Sequence, residues 1–490
     1  MPSWATSPPI RPRPLSSDVG DTSGRVLRSA RYARRLVPAG NVGFGPESML
    51  KILFVDTWTK GIHNILPVSQ ELARAGAHSL LVHRGSWGSE TGRPKEEVLQ
   101  GLLCRDIRYY DTNMIYGVLA RERPDAVVLL TTTRIEDRAT ILAARALGIR
   151  SFFLMHGVVL TGGQREADMK GMEELHRSLR WLRASRYLRY VLPNYIRSGF
   201  EFDHRFPLRS GPYWLIWKSF SDPARYRWSP PPSREIQCDK ALVWAREYGE
   251  FYRREFGYPS EDIVVVGHPP LDPAFQLARS LPDEERSSAF LDSLHIPRDK
   301  PFCVYLAGPE VEQGVKGWSV ESRSLHWQEL SEICTRGGRT LVIKLHPATS
   351  TSGLDVVSNS KHIIFVTQTD MPMLVHLAES TIGLMSSTLN FAVALRKPLI
   401  TPRWGICGNV PDDYVRNGAS VAAENAEILQ ELIAHPAAAL QAVSATRSSY
   451  IDRFISLSDG NAVPRIVASL LHSRNGEPTG TGMGGRGCPS

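Results

Sequence analysis

Short, unbroken apolar runs return along most of this chain, separated by stretches with helical spacing, and that alternation restricts the fold more than any other feature. The runs lie at residues 49–56, 78–83, 126–130, 151–155, 241–245 and 263–266, then at 302–306, 340–345, 362–366, 381–385 and 398–400. A strand that is apolar on both faces must be covered on both faces, which a parallel sheet with helices on either side provides. Helical stretches such as 138–147 and 247–256 fall between the runs, the latter ended by Gly257 and Pro259. The expectation is an α/β protein with two Rossmann-like parallel-sheet domains facing a cleft.

At 490 residues the chain exceeds one ordinary core and suits two or three units. The first 48 residues, rich in Pro, Arg, Ser and Gly, have no apolar period and read as a disordered extension, with Met49 a candidate start. Residues 49–275 then form a first domain carrying an insertion at 164–234. Residues 276–300 read as a polar linker, 301–472 as the second domain, and the Gly-rich 473–490 as a disordered tail.

Composition narrows the surroundings more than the chemistry. Six cysteines stand far apart with no CxxC pair, so neither a zinc site nor a disulfide framework is indicated, and a reducing cytoplasm fits. No run of about twenty apolar residues occurs, and the Pro and Arg near the N-terminus lead us to expect no secretory leader. The net charge of +8 favours anionic partners without choosing among them.

In parallel α/β sheets, ligands bind beyond the carboxyl ends of the strands. There the run at 340–345 ends in Lys344-Leu345-His346-Pro347, where His346 suits a phosphate contact or a simple helix cap. The run at 381–385 leads into Ser386, Ser387 and Thr388, whose hydroxyls suit phosphate and equally suit capping. His156, followed by Gly157, ends the run at 151–155. It is the first candidate base for an acceptor hydroxyl, a buried ring bonded to a carbonyl being the alternative. Glu136 and Asp137 compete for that role, although acids at a helix start also complement its dipole. Lys60, Gly61 and His63 occupy the first loop, as acceptor or donor contacts or as a solvated turn.

Several signatures are absent. The sequence has no GxxxxGK[ST] loop, no GxSxG elbow and no GxGxxG after its opening strand. It also lacks a DxD pair, so no metal is expected at a sugar diphosphate.

The ordered set of His156-Gly157, the run Val266-Gly267-His268-Pro269-Pro270-Leu271-Asp272, Lys344-Leu345-His346-Pro347 and Ser386-Ser387-Thr388 leading to Arg396-Lys397-Pro398 resembles the GT-B glycosyltransferases. The likeness is to bacterial capsule-polysaccharide and CDP-glycerol glycerophosphotransferase-like enzymes, with the related sialyl- and Kdo-transferases, and spans about residues 51–471. It implies a metal-independent, cofactor-free transferase acting with inversion. His346 and the Ser386-Ser387 pair would hold the donor phosphate, and the first domain would present acceptor and base. The sialyl-type acidic pair followed by glycine is missing, so His156 matches the glycerophosphotransferase pattern better. Non-hydrolysing 2-epimerases share the fold but would have an acid and glycine where Val158 and Val159 stand.

The expected function is therefore a nucleotide-sugar-dependent glycosyltransferase building a bacterial surface or capsular polysaccharide. A CDP-glycerol glycerophosphotransferase and a non-catalytic scaffold are the alternatives. Between Lys170 and Arg234, thirteen Lys or Arg residues face five acids among Trp181, Tyr187, Tyr190, Trp214, Trp217 and Trp228. Such a segment suits an anionic inner leaflet with a lipid-linked acceptor, or a hairpin packed on the first domain; nucleic acid has no other support in the chain. A cytoplasmic enzyme, peripheral on the membrane, is the corresponding location.

Overall fold

The computed structural model describes residues 49–56, 59–88, 90–132, 134–157, 187–205, 234–280, 282–312, 314–347, 349 and 363–472. The expected disordered ends and most of the basic insertion lie outside these residues.

The apolar runs form two sheets. The first contains β1 (Lys51–Asp56), β2 (His78–His83), β3 (Glu96–Leu99), β4 (Leu102–Asp106), β5 (Ala126–Leu129), β6 (Arg150–Leu154), β7 (Lys240–Val243) and β8 (Ile263–Val265). Its order is β3-β4-β2-β1-β5-β6-β7-β8. Every pairing is parallel except β3 with β4. The second sheet is parallel throughout: β9 (Phe302–Leu306), β10 (Thr340–Lys344), β11 (Ile363–Val366), β12 (Ser380–Gly383), β13 (Leu399–Pro402) and β14 (Val421–Ala423), ordered β11-β10-β9-β12-β13-β14.

Both sheets reverse their winding direction once. In the first, the chain runs outward from β1 through β2 to β4, then returns to place β5 on the other side of β1. In the second, it leaves β9 for β10 and β11 and returns to β12. The switch points lie between β1 and β5 and between β9 and β12, where parallel sheets open crevices at their carboxyl edge.

The apolar faces are filled as the pattern requires. Ile52, Phe54, Val128 and Phe152 of the first sheet pack with Ile65, Val68 and Leu72 of helix Ile62–Arg74. Tyr305, Leu341, Ile343 and Ile400 of the second pack with Trp327, Leu330 and Ile333 of helix Val320–Arg336. Each fully buried large side chain contributes roughly 1.5–3 kcal/mol.

Two details add to the expected division. The stretch at 276–300 holds the end of helix Asp272–Arg279 and all of helix Glu284–Ser293, whose first turn is capped by Asp283. The last described helix, Ala462–Leu471, belongs by packing to the first sheet although it ends the second domain in sequence. Ile466, Val467 and Leu470 join the core of Ile52 and Phe54. Asp272 holds that helix in place, its carboxylate oxygens accepting from the N–H groups of Ala462 and Val463 at 3.1 and 3.0 Å. The run at 266–272 thus works as a latch between sequence halves. Asp272→Ala should lower stability by about 1–2 kcal/mol in a urea melt, as loss of a helix cap does; an unchanged midpoint would remove the latch.

Candidate active site

β9, the central strand of the second sheet, ends in Ala307-Gly308-Pro309-Glu310. Gly308 is required by close approach: a Cβ there would lie 2.3 Å from Glu310 Oε1 and 2.7 Å from the Met385 carbonyl oxygen. The loop after β9 is therefore pressed against the end of β12, at the switch point. Glu310 is 2% exposed, and its Oε1 has no hydrogen-bond partner among the described residues. Burial pushes its carboxyl up to about 7, with Glu312 acting in the same direction and backbone N–H groups and Arg323 opposing.

On one side of β9, β10 runs into Lys344 and His346. Lys344 is half-buried and donates from Nζ to the Leu345 carbonyl at 2.6 Å. The backbone turns directly after His346, whose carbonyl accepts from the Thr349 N–H at 2.9 Å. Burial, reinforced by Lys344 and opposed by Glu312, holds the half-buried imidazole below its ordinary value, so it is neutral at pH 7.

On the other side, β12 runs into the hydroxyl cluster. Ser386 Oγ accepts from the Thr388 N–H at 3.3 Å and lies 2.7 Å from Thr388 Oγ1. Tyr414 donates its hydroxyl to the Ser386 carbonyl at 2.7 Å, and Tyr450 donates to Asn390 Oδ1 at 2.9 Å. Ser386 is thus a cap, and the turn it caps leaves Ser387 exposed to solvent.

In the first sheet the β1 loop occupies the other switch point. A Cβ on Gly61 would lie 2.3 Å from Asp56 Oδ2 and 3.2 Å from Leu130 Cδ1, so the loop passes close to side chains from the ends of β1 and β5. Thr59 anchors the loop, donating from N–H and Oγ1 to Glu90 at 3.2 and 3.0 Å. Lys60 lies in this turn, its side chain outside the described residues, and His63 is exposed with Nε2 3.0 Å from Asn64 Nδ2.

His156 follows β6 and is exposed, which removes its alternative as a buried ring. Glu136 and Asp137 sit in the first turn of helix Ile135–Ala146 at 6% and 2% exposure. Asp137 accepts from Arg84 Nη2 at 3.1 Å and from the Thr131 hydroxyl. Burial pushes its carboxyl above the usual range, against the pull of Arg84 and Arg134. Asp137 is thus one half of a buried ion pair with Arg84.

The structure thus brings Lys344, His346, Ser386, Ser387 and Thr388 to one carboxyl edge, around β9. Lys60, Gly61, His63 and His156 lie at the carboxyl edge of the other sheet. Glu310 escaped the sequence reading; the signal was Gly308-Pro309 directly after an apolar run. Among the described residues no cluster of His, Cys, Asp or Glu has the grouping of a metal site, and no helix is long and apolar enough to cross a membrane. Cys104, Cys238, Cys303, Cys334 and Cys407 are free and buried; Cys488 lies outside the described residues.

Two Rossmann-like domains, each with one switch point, and a last helix that returns to the first sheet define the GT-B fold. No protein-family model matches the sequence, and no curated protein does. Among solved structures, a variant of the wall teichoic acid polymerase TagF is similar at 13% identity, covering 86% of this chain and 88% of that one with a TM-score of 0.50. The UDP-GlcNAc 2-epimerase of Methanocaldococcus jannaschii aligns at 16% identity over 87% of this chain and 100% of its own, TM-score 0.47. A glycosyltransferase of Rickettsia africae ESF-5 aligns at 12% identity over 87% and 99%, TM-score 0.48. At 13% identity the likeness to the polymerase is one of fold.

Proposed function

We propose that this chain is a metal-independent glycosyltransferase that takes a nucleotide-activated sugar and extends a bacterial surface or capsular polysaccharide. What supports this is geometric: His346 and Ser387 leave the carboxyl ends of β10 and β12, the two neighbours of β9, and so stand on either side of β9 beside the second sheet's switch point. A neutral imidazole N–H and an exposed hydroxyl are donors suited to phosphoryl oxygens, and the Lys344 ammonium adds positive charge beside them.

In this reading His156 removes the proton of an acceptor hydroxyl, whose oxygen attacks the anomeric carbon of the donor. The bond to the phosphoryl oxygen breaks as the new one forms, with inversion. His346, Lys344 and the Ser387 and Thr388 hydroxyls stabilise the negative charge on the departing nucleotide. The Gly61 loop positions the acceptor. Leu188, Ile196 and Phe200, exposed at 59%, 40% and 48% in the described part of the insertion, support contact with a membrane that carries a lipid-linked acceptor.

The first experiment is a thermal-shift panel of CMP, CDP, UMP, UDP and GDP. A nucleotide at about 100 times its Kd should stabilise the protein by about 2.7 kcal/mol. Absence of any shift across the panel would defeat the proposal. CDP-glycerol yielding a phosphate-containing product would instead make the chain a glycerophosphotransferase, with the same donor site.

A further inference from the structure

Glu310 follows β9, the strand lying between the two whose carboxyl ends carry His346 and Ser387. Its loop leaves β9 itself, and Gly308 shows how tightly the carboxyl group and the end of β12 close on one small volume. A buried glutamate with a structural duty normally holds a cation. Here Arg323 Nη1 donates to Glu312 Oε1 at 2.9 Å and reaches Glu310 only through its charge, leaving Glu310 Oε1 without a hydrogen-bond partner among the described residues.

Backbone N–H groups and the Arg323 cation offset the burial of Glu310 only in part. Glu312 comes from the same loop, Arg323 from helix Val320–Arg336, Tyr305 from β9 and Cys407 from the turn Gly405–Asn409. Burial pushes the Tyr305 hydroxyl and the Cys407 thiol up, so both are uncharged at neutral pH. His326 stands behind Cys407, its ring nitrogens 3.7 Å from Sγ, and burial lowers it to about 4, so it too is neutral. An ionised carboxylate in this setting is costly, whereas a neutral acid offers one O–H donor.

Resting on the donor site proposed above, we propose that Glu310 is a further donor-binding residue, its neutral carboxylic acid donating a hydrogen bond to a phosphoryl oxygen of a sugar nucleotide seated between the ends of β9 and β12. An ionised Glu310 repels the same oxygen. Donor affinity therefore depends on Glu310 keeping its proton and is lost as pH rises through the group's raised value. His346 does not produce this dependence, because its own titration lies below the ordinary imidazole value.

The test is calorimetric binding of UDP-GlcNAc and of CDP-glycerol from about pH 5.5 to about pH 8.5, a window in which their diphosphate diesters keep a constant charge. Wild-type affinity should fall, approaching tenfold per pH unit above about pH 7 for whichever donor binds. Glu310→Gln keeps the shape and carries an N–H donor at every pH, so its affinity should be flat and exceed wild type at the alkaline end. A variant as pH-dependent as wild type, or a flat wild-type profile, overturns the assignment and leaves the donor site standing. Failure of wild type to bind any sugar nucleotide at about pH 6, with folding verified by circular dichroism, overturns the donor site and this role together.

Discussion

Replacing His346 with alanine should lower the transfer rate by about 100- to 10,000-fold while leaving the melting temperature unchanged, the usual effect of losing a side chain that handles charge or a proton in the transition state. The imidazole is held at the end of β10, and its lowered affinity for protons makes it neutral at working pH. The wild-type rate should then show no dependence on His346 between about pH 6.5 and about pH 8. His346→Gln, which retains an N–H donor, should recover part of the loss. A rate within about threefold of wild type in the alanine variant would detach this histidine from the phosphate.

The second large effect concerns stability. Asp137→Ala should destabilise the protein by about 3–5 kcal/mol in a urea melt, because it leaves Arg84 buried without its carboxylate. The pair lies almost wholly out of solvent, with side-chain exposures of 1% and 3%. Replacing both partners together, as Arg84→Met with Asp137→Leu, should restore most of that loss, since two apolar groups of similar size leave no orphan charge. A general base would behave in the opposite way, losing rate and little stability. A single variant that folds as well as wild type but turns over about a hundredfold more slowly would return Asp137 to the chemistry.

Much of the fold is legible in the sequence because buried parallel strands must be apolar at consecutive positions. That pattern identified β1, β2 and β5 through β13 to within two residues at either end. It missed β3 and β4, which form an antiparallel pair at the sheet edge: Glu96 and Glu97 give β3 no apolar run, and exposure alternates along both strands. It also missed β14, whose three residues leave almost no pattern. The candidate donor residues were legible for the same reason as the strands: once an apolar run is found, its carboxyl end is known, and His346 and Ser386 stand there. Asp137 stands at an equivalent place after β5, but its ion-pair partner Arg84 lies 53 residues earlier and no local pattern links them.

The alternation along the chain was enough to determine an α/β fold with two sheets, and with it which loops leave the carboxyl edges. Those properties are local, written in side-chain polarity over a few successive positions. Tertiary structure alone decided the lateral order of the strands, and so the neighbours of β9. It also decided that Glu310 is buried at the switch point, and that the final helix returns to the first sheet under the cap of Asp272, 190 residues away. Lateral order and buried pairing arise from packing between distant segments, where the free energy depends on shape and compensated charge rather than on any repeat along the chain.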